Sequence, residues 1–126
     1  MPVQRLIIYG KMPGMNEIVA ASKQHFAVYA KMKKELTTSV AVMGLTLKPI
    51  APPVRVRFLW YEPDRRRDPD NISAGGRKFI LDGLVEAGIL PTDGWKLYEP
   101  TGGLEDRFFI DKENPRVVVE LIEEPQ

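Results

Sequence analysis

Hydrophobic and polar positions along the chain follow two distinct periods, and each predicts an element. Val3 to Tyr9 (VQRLIIY) is a short β-rich apolar run that predicts a first strand. Gly10, Pro13 and Gly14 interrupt it. Asn16 offers a helix cap, with Glu17 in the first turn, where the helix dipole favours an anion. Val19, Phe26, Tyr29, Leu36, Val40 and Met43 then recur at steps of seven, three, seven, four and three. This stripe predicts one long helix ending before Gly44, with His25 as a packing residue. The helix's other face carries Lys23, Lys31, Lys33 and Lys34. Val54, Val56, Phe58 and Trp60 alternate with Arg55, Arg57 and Leu59, the period of a second strand.

The later pattern is shorter in rhythm. Phe79, Ile80, Leu84 and Ala87 share one face of a helix over 77–87, which Gly88 can close. Gly75 and Gly76 would each cost up to about 1 kcal/mol inside a helix, so a loop or broken first turn is expected over 71–76. Trp95–Tyr98, Arg107–Ile110 and Arg116–Ile122 read as three further strands, with reversals at Gly102-Gly103 and Asn114-Pro115. Trp60 and Trp95 are core candidates. The order β-α-β-α-β-β-β implies a single α+β domain over residues 1–126, a mixed β-sheet of about four or five strands with two helices against it.

Composition narrows the chemistry. The 126 residues contain no cysteine and one histidine, His25. Disulfide scaffolds, thiolate zinc sites and cysteine nucleophiles are excluded, and Ser-His-Asp triads and multi-histidine metal sites are disfavoured. No apolar run reaches the roughly 18 residues of a membrane span, and the opening Met1-Pro2-Val3-Gln4-Arg5 does not resemble a signal peptide. The expectation is a cytoplasmic protein. A net charge of +1 conceals an asymmetry: residues 1–67 hold 12 Lys+Arg against 4 Asp+Glu, and residues 68–126 hold 6 against 13. That suggests a polyanion-binding half joined to a half able to bind cations, unless folding interleaves the two and pairs their charges.

The candidate chemistry lies where the halves meet. Asp68 and Asp70 follow the second strand, and Pro69 between them restricts Asp68 to an extended conformation. In an extended segment that spacing points both carboxylates to one side. Two carboxylates held together repel unless a cation neutralises them, and magnesium, a hard ion taking oxygen ligands, answers that need. The bland alternative is an Asp-rich turn with Asn71 as helix cap. An EF-hand loop starting at Asp68 fails, since Ile72, Ser73 and Phe79 occupy its required positions. No GxxxxGK[ST] loop is present, so no nucleotide cofactor is expected. Lys78 and Asp82 are four apart, either a surface ion pair or a phosphate-contacting lysine oriented by Asp82. Arg65, Arg66 and Arg67 beside the acid pair suit a phosphodiester, which needs cations to dock; otherwise they pair with Glu62 and Asp64. Asp93 sits in a turn after the second helix, and spacing alone does not bring it to Asp70.

Three blocks in order, RRRDPDN (65–71), KFILDGL (78–84) and EAGILPTD (86–93), resemble the RusA family of Holliday junction resolvases, common in phages and prophages. PGMNE (13–17) before a long basic helix resembles phage members as well. The resemblance covers most of the chain. It implies a homodimeric, magnesium-dependent endonuclease that cuts four-way DNA junctions in recombination and repair. The family's essential acids would map onto Asp68, Asp70 and Asp93, and its lysine onto Lys78. Arg65–Arg67 with Lys23, Lys31 and Lys34 would grip the DNA backbone, and Asp82 and Asn71 would support the site. Two features depart from the family pattern. Asp70 and Lys78 are eight apart, with Ser73-Ala74-Gly75-Gly76 between them, where some members place the lysine one helical turn after the second acid. Thr92-Asp93 also stands where some members carry two adjacent acids.

Overall fold

The computed structural model describes residues 2–125. Eight elements follow one another: β1 (Val3–Tyr9), α1 (Met15–Gln24), α2 (Phe26–Gly44), β2 (Val54–Glu62), α3 (Pro69–Glu86), α4 (Trp95–Tyr98), β3 (Gly103–Ile110) and β4 (Arg116–Glu123). The four strands form one mixed sheet in the order β1-β4-β2-β3. β4 runs antiparallel to both β1 and β2, whereas β3 lies parallel to β2 at the sheet's edge. The return from β2 to a parallel β3 needs a crossover, and α3 with α4 supplies it. The α+β class and the mixed sheet match the sequence expectation. The sheet has four strands, and the described residues hold four helices rather than two.

Alternation sets the layers. Val54, Val56, Phe58 and Trp60 of β2 point to the helices and are buried, as are Leu6 and Ile8 of β1 and Val117, Val119 and Leu121 of β4. Ile72, Phe79, Ile80 and Leu84 of α3 meet them from the other side, with Val40 of α2 behind. Phe58 and Trp60 stack with ring centroids 5.5 Å apart. The opposite sheet face carries Arg55 and Arg57 of β2 beside Arg5 and Glu120, at register positions that place them side by side.

Four sequence expectations are corrected. The single long helix is two, broken at His25, whose backbone is extended (φ −165°, ψ 139°). His25 is exposed rather than packed, and its Nδ1 accepts a hydrogen bond from the Ala27 N–H at 3.1 Å, capping α2. The heptad stripe crosses this break, so Val19 and Phe26 are exposed while Val40 is buried. Second, the expected loop at 71–76 is helical, and α3 starts at Pro69. Gly75 lies against Pro13 and Gly14, and Gly76 against the Trp60 ring: a Cβ added at either would come within 2.6 Å of those atoms. The glycines mark close packing, which outweighs their propensity cost. Third, Trp95–Tyr98 is a short helix, not a strand, and Trp95 is 84% exposed rather than in the core. Four residues are too few for their period to separate helix from strand. Fourth, the N-cap of α1 is Gly14 and not Asn16.

Candidate metal and nucleic-acid site

The chain turns sharply after β2, and the acid pair and the arginine run lie around that turn. Asp68 is the N-cap of α3, extended at φ −70° and ψ 148° as its proline neighbour dictates. Pro69 then starts the helix, where a missing N–H costs nothing. Asp70 is therefore helical rather than extended, which corrects the expected extended pair. The two carboxylates still line one hollow of about 330 Å³, formed with Met15, Asn16, Asn71 and Ala74. Both acids are exposed, and Asp68's side chain does not cap α3. Among the described residues neither carboxylate takes part in a hydrogen bond or salt bridge.

Asn71 does not cap its own helix. Its Oδ1 accepts a hydrogen bond from the Asn16 N–H at 2.7 Å, so α3 caps α1 and holds it beside the acids. Asn16 and Asn71 are 55 residues apart in sequence, so no local pattern announces this pairing. 

The arginine run divides. Arg65 and Arg66 are exposed, and Arg66 lies a loose 3.7 Å from Asp64. Arg67 turns inward: its guanidinium binds both carboxylate oxygens of buried Glu62 at 2.9 Å, the Met12 carbonyl at 2.8 Å and Glu17 at 3.0 Å. The expected phosphate contact from Arg67 is thereby replaced by a structural clamp between β2, α1 and the turn. Planar guanidinium matches the Glu62 carboxylate bidentately, and burial shields that pair from solvent. On the other side of the same turn, Phe108, Phe109 and Ile110 of β3 wall a pocket of about 550 Å³ that includes Glu62, Arg65 and Asp68. The consecutive apolar triple was legible as a strand, but not as a wall of this pocket.

Lys78 and Asp93 lie away from the acid pair. Asp70 and Lys78 are two turns apart, about 12 Å along the helix axis, and the Lys78 Nζ sits 3.7 Å from Asp82, one turn further on. Ala74 occupies the position one turn after Asp70. Asp93 lies beyond the far end of α3, a helix of 18 residues or about 27 Å. It shares a separate hollow with Gly94, Trp95 and Tyr98. Burial pushes the Tyr98 hydroxyl's pKa up, with Asp93 adding and Arg77 opposing. Among the described residues no three carboxylates or histidines form a metal-holding group. The two unpaired oxygen donors Asp68 and Asp70 nonetheless fit a hard divalent ion, since magnesium is usually held by one or two carboxylates and completes its shell with water.

Lys23 lies in the last turn of α1, and Lys31 and Lys34 are exposed on α2 beyond the His25 break. Lys31 faces Glu35 at 3.9 Å, an exposed pair of little energetic weight. Lys33 and Lys34 border a groove of about 510 Å³ with Phe26 and Tyr29. Elsewhere the basic and acidic halves of the chain interleave. Arg5, Arg55 and Arg57 pair with Glu105, Glu120 and Glu124 on the open sheet face, at 2.7 to 3.2 Å. The asymmetry of charge along the sequence is therefore partly consumed by folding. No helix among the described residues is long and apolar enough to cross a membrane. No protein-family model matches the chain, and no curated protein matches it significantly.

Proposed function

We propose that this protein is a magnesium-dependent endonuclease of the RusA type, hydrolysing phosphodiester bonds at four-way DNA junctions in recombination and repair. The observation that carries the reading is the pair Asp68 and Asp70: two exposed carboxylates without partners, lining one hollow at the start of α3, next to the outward-turned Arg65 and Arg66. Unpaired neighbouring carboxylates are unfavourable without a cation, and a basic rim beside them suits a phosphate backbone. Asp68 and Asp70 would hold the ion. Bound magnesium supplies a water of lowered pKa and neutralises charge developing on the phosphate.

The chain's own residues set what surrounds that chemistry. The N-terminal dipole of α3 steadies the negative charge of Asp68 and Asp70 at the helix's first turn. The Arg67–Glu62–Glu17 clamp fixes the turn that carries them. Arg65 and Arg66, with Lys23, Lys31 and Lys34, would contact phosphates and position the junction without reading bases. Asp93 joins the acid pair only if a second copy supplies it, which agrees with a homodimer offering one site to each of the two strands to be cut. Lys78, oriented by Asp82, would act on the phosphate from two turns away only after its present ion pair opens. That arrangement favours one alternative, a structure-selective DNA-binding protein that does not cut.

A synthetic four-way junction and a linear duplex, each incubated with and without magnesium, decide between them. Cutting of the junction only with magnesium is expected. Asp70→Asn should abolish cutting, at least about 100-fold by analogy with loss of a group acting on developing charge, and leave junction binding intact or tighter. Binding without cutting by the unaltered protein would establish the alternative, and loss of binding in parallel with cutting would remove Asp70 from the reaction.

A further inference from the structure

The far end of β3 is bare on both faces of the sheet: Phe108 is 38% exposed, Phe109 42% and Ile110 46%. Phe109 stands on the open face beside its register partner Tyr61, and the two rings stack with centroids 4.9 Å apart and 19° between their planes. Neighbouring strands are themselves about 4.8 Å apart, so rings on adjacent strands come that close only by standing face to face, upright on the sheet. On the other side of Tyr61, its register partner Arg116 sets its guanidinium 3.8 Å from the ring centroid, and Asp111 holds that guanidinium at 2.8 Å. Arg116, Tyr61 and Phe109 therefore form a column across three strands. β3 is the last strand of the sheet, so the outer face of the Phe109 ring points off the edge, and among the described residues no further ring covers it.

The pocket of about 550 Å³ opens at that edge, within the size range of small-molecule sites, about 300–1,000 Å³. Phe108, Phe109 and Ile110, with Pro69 and Ile72 of α3, give it apolar walls. Its polar lining is mostly engaged within the chain: Glu62 and Arg67 bind one another, and Asp64 accepts from the Arg66 N–H. Arg65 and Asp68 are different. Both are exposed, and neither side chain is in a hydrogen bond or an ion pair among the described residues. Asp68 also lines the hollow it shares with Asp70, so the apolar pocket and the acid pair meet at that carboxylate. What remains free is a ring face, an apolar wall, one cation and one carboxylate suited to a metal. A nucleotide answers all four, because it joins a flat ring to an anion a few bonds away. An apolar peptide segment would cover the walls and leave Arg65 without an anion. Paired duplex DNA would bring the phosphate but keep its bases in their own stack.

We propose that this pocket takes one unstacked nucleobase of the DNA, laid on the outer face of Phe109, with the adjoining phosphate toward Arg65 and Asp68. The occupant rests on DNA being the substrate, and it adds what the site selects: a nucleotide that has left its stack beside the phosphate. Leaving the stack costs least where a base is mismatched or already unpaired. The branch point of a four-way junction supplies such positions, and a continuous duplex does not. Stacking tolerates any sequence because every base has a π-face, so the pocket discriminates by DNA structure without reading base edges. The column behind Phe109 is already fixed by Arg116 and Asp111, so little ordering cost remains when a base lands on it.

Binding is read by fluorescence anisotropy in EDTA, so that no cutting intervenes, with a synthetic four-way junction and a fully paired linear duplex. Phe109→Leu keeps an apolar side chain and removes the ring. It should weaken junction binding about 10-fold and leave duplex binding within about twofold, since the duplex is held by phosphate contacts. Phe109→Tyr should restore the junction. The salt slope of log K should not change with Phe109→Leu, whereas Arg65→Ala should lower it by about 0.9. An abasic nucleotide, placed in turn at each position flanking the branch point, tests the same contact without altering the protein. At one position it should weaken binding as much as Phe109→Leu does, and the two changes together should cost no more than either alone. Equal losses on junction and duplex, no loss with Phe109→Leu, or no abasic position that matters would each overturn the stacking site. An unaltered protein that binds neither DNA would overturn the site and the substrate together. The expected pattern without any cutting in magnesium would keep the site and remove only the nuclease.

Discussion

The open sheet face and the first turn of α3 hold carboxylates in opposite circumstances. On the sheet, Glu105 and Glu120 each lie within hydrogen-bond distance of arginines from neighbouring strands. At the turn, Glu62 is held by Arg67, yet Asp68 and Asp70, only a few residues on, are exposed and have no such partner among the described residues. The difference teaches where this chain commits charge to architecture and where it leaves charge for something outside itself. A paired, half-buried carboxylate resists substitution because its arginine would be stranded. An unpaired exposed one carries little structural weight, so its clustering calls for another reason.

The largest effect should come from breaking a buried pair. Glu62 is 6% exposed and Arg67's side chain 11% exposed. Glu62→Gln should lower unfolding free energy by about 3 kcal/mol, because it takes from Arg67 its buried countercharge and leaves only the half-exposed Glu17. Asp70→Asn should stay within about 0.5 kcal/mol. Urea denaturation of both variants checks the contrast, and equal losses would erase it.

A smaller effect should appear in acid. The hydrogen bond from Arg57 is the main reason the Glu105 carboxyl titrates below its ordinary value of 4.5, with Arg55 adding. The unfolded chain then binds the proton more readily than the folded one. The stabilising contribution is complete above pH 4.5 and is lost as the pH falls through the folded pKa. Stability measured by urea between pH 7 and pH 3 should fall more steeply for the unaltered protein than for Glu105→Gln. Parallel curves would mean that the sheet-face pairs do not differ electrostatically from solvated charges.

The smallest structural effect belongs to Arg66, whose side chain is 89% exposed. Arg66→Ala should change stability by less than about 0.5 kcal/mol and weaken junction and duplex binding alike. Loss of one phosphate contact should reduce the salt slope of log K by about 0.9. An unchanged slope would mean that Arg66 faces away from DNA, and would place it with Arg67 among the structural arginines.

Much of the fold was legible. Alternation along Val54–Trp60 located β2 and its buried face, and the pattern over 77–87 located most of α3. The failures each had a physical cause. Gly75-Gly76 reads locally as a helix breaker, but Trp60 and the Pro13–Gly14 backbone need that space, and they come from elsewhere in the chain. The stripe from Val19 to Met43 passes through His25 because periodicity records spacing and not the capping bond that ends one helix and starts the next. Of the candidate site, the Asp68-Pro69-Asp70 cluster and its basic neighbours were visible as residue types. Their division into free and engaged groups was not.

What the sequence determined by itself is local: the strand and helix periods, the extended Asp68 before Pro69, and the absence of thiol and multi-histidine chemistry. These depend on neighbours within a few residues, whose sterics and periodicity are written in order along the chain. Only the tertiary structure decided that Arg67 is a clamp while Arg66 is free, that Asn71 caps α1, that Asp93 lies away from Asp68, and that β3 ends the sheet. Each of those depends on groups brought together from distant parts of the chain, and a charge or hydrogen bond is assigned only when its competing partners have been placed around it.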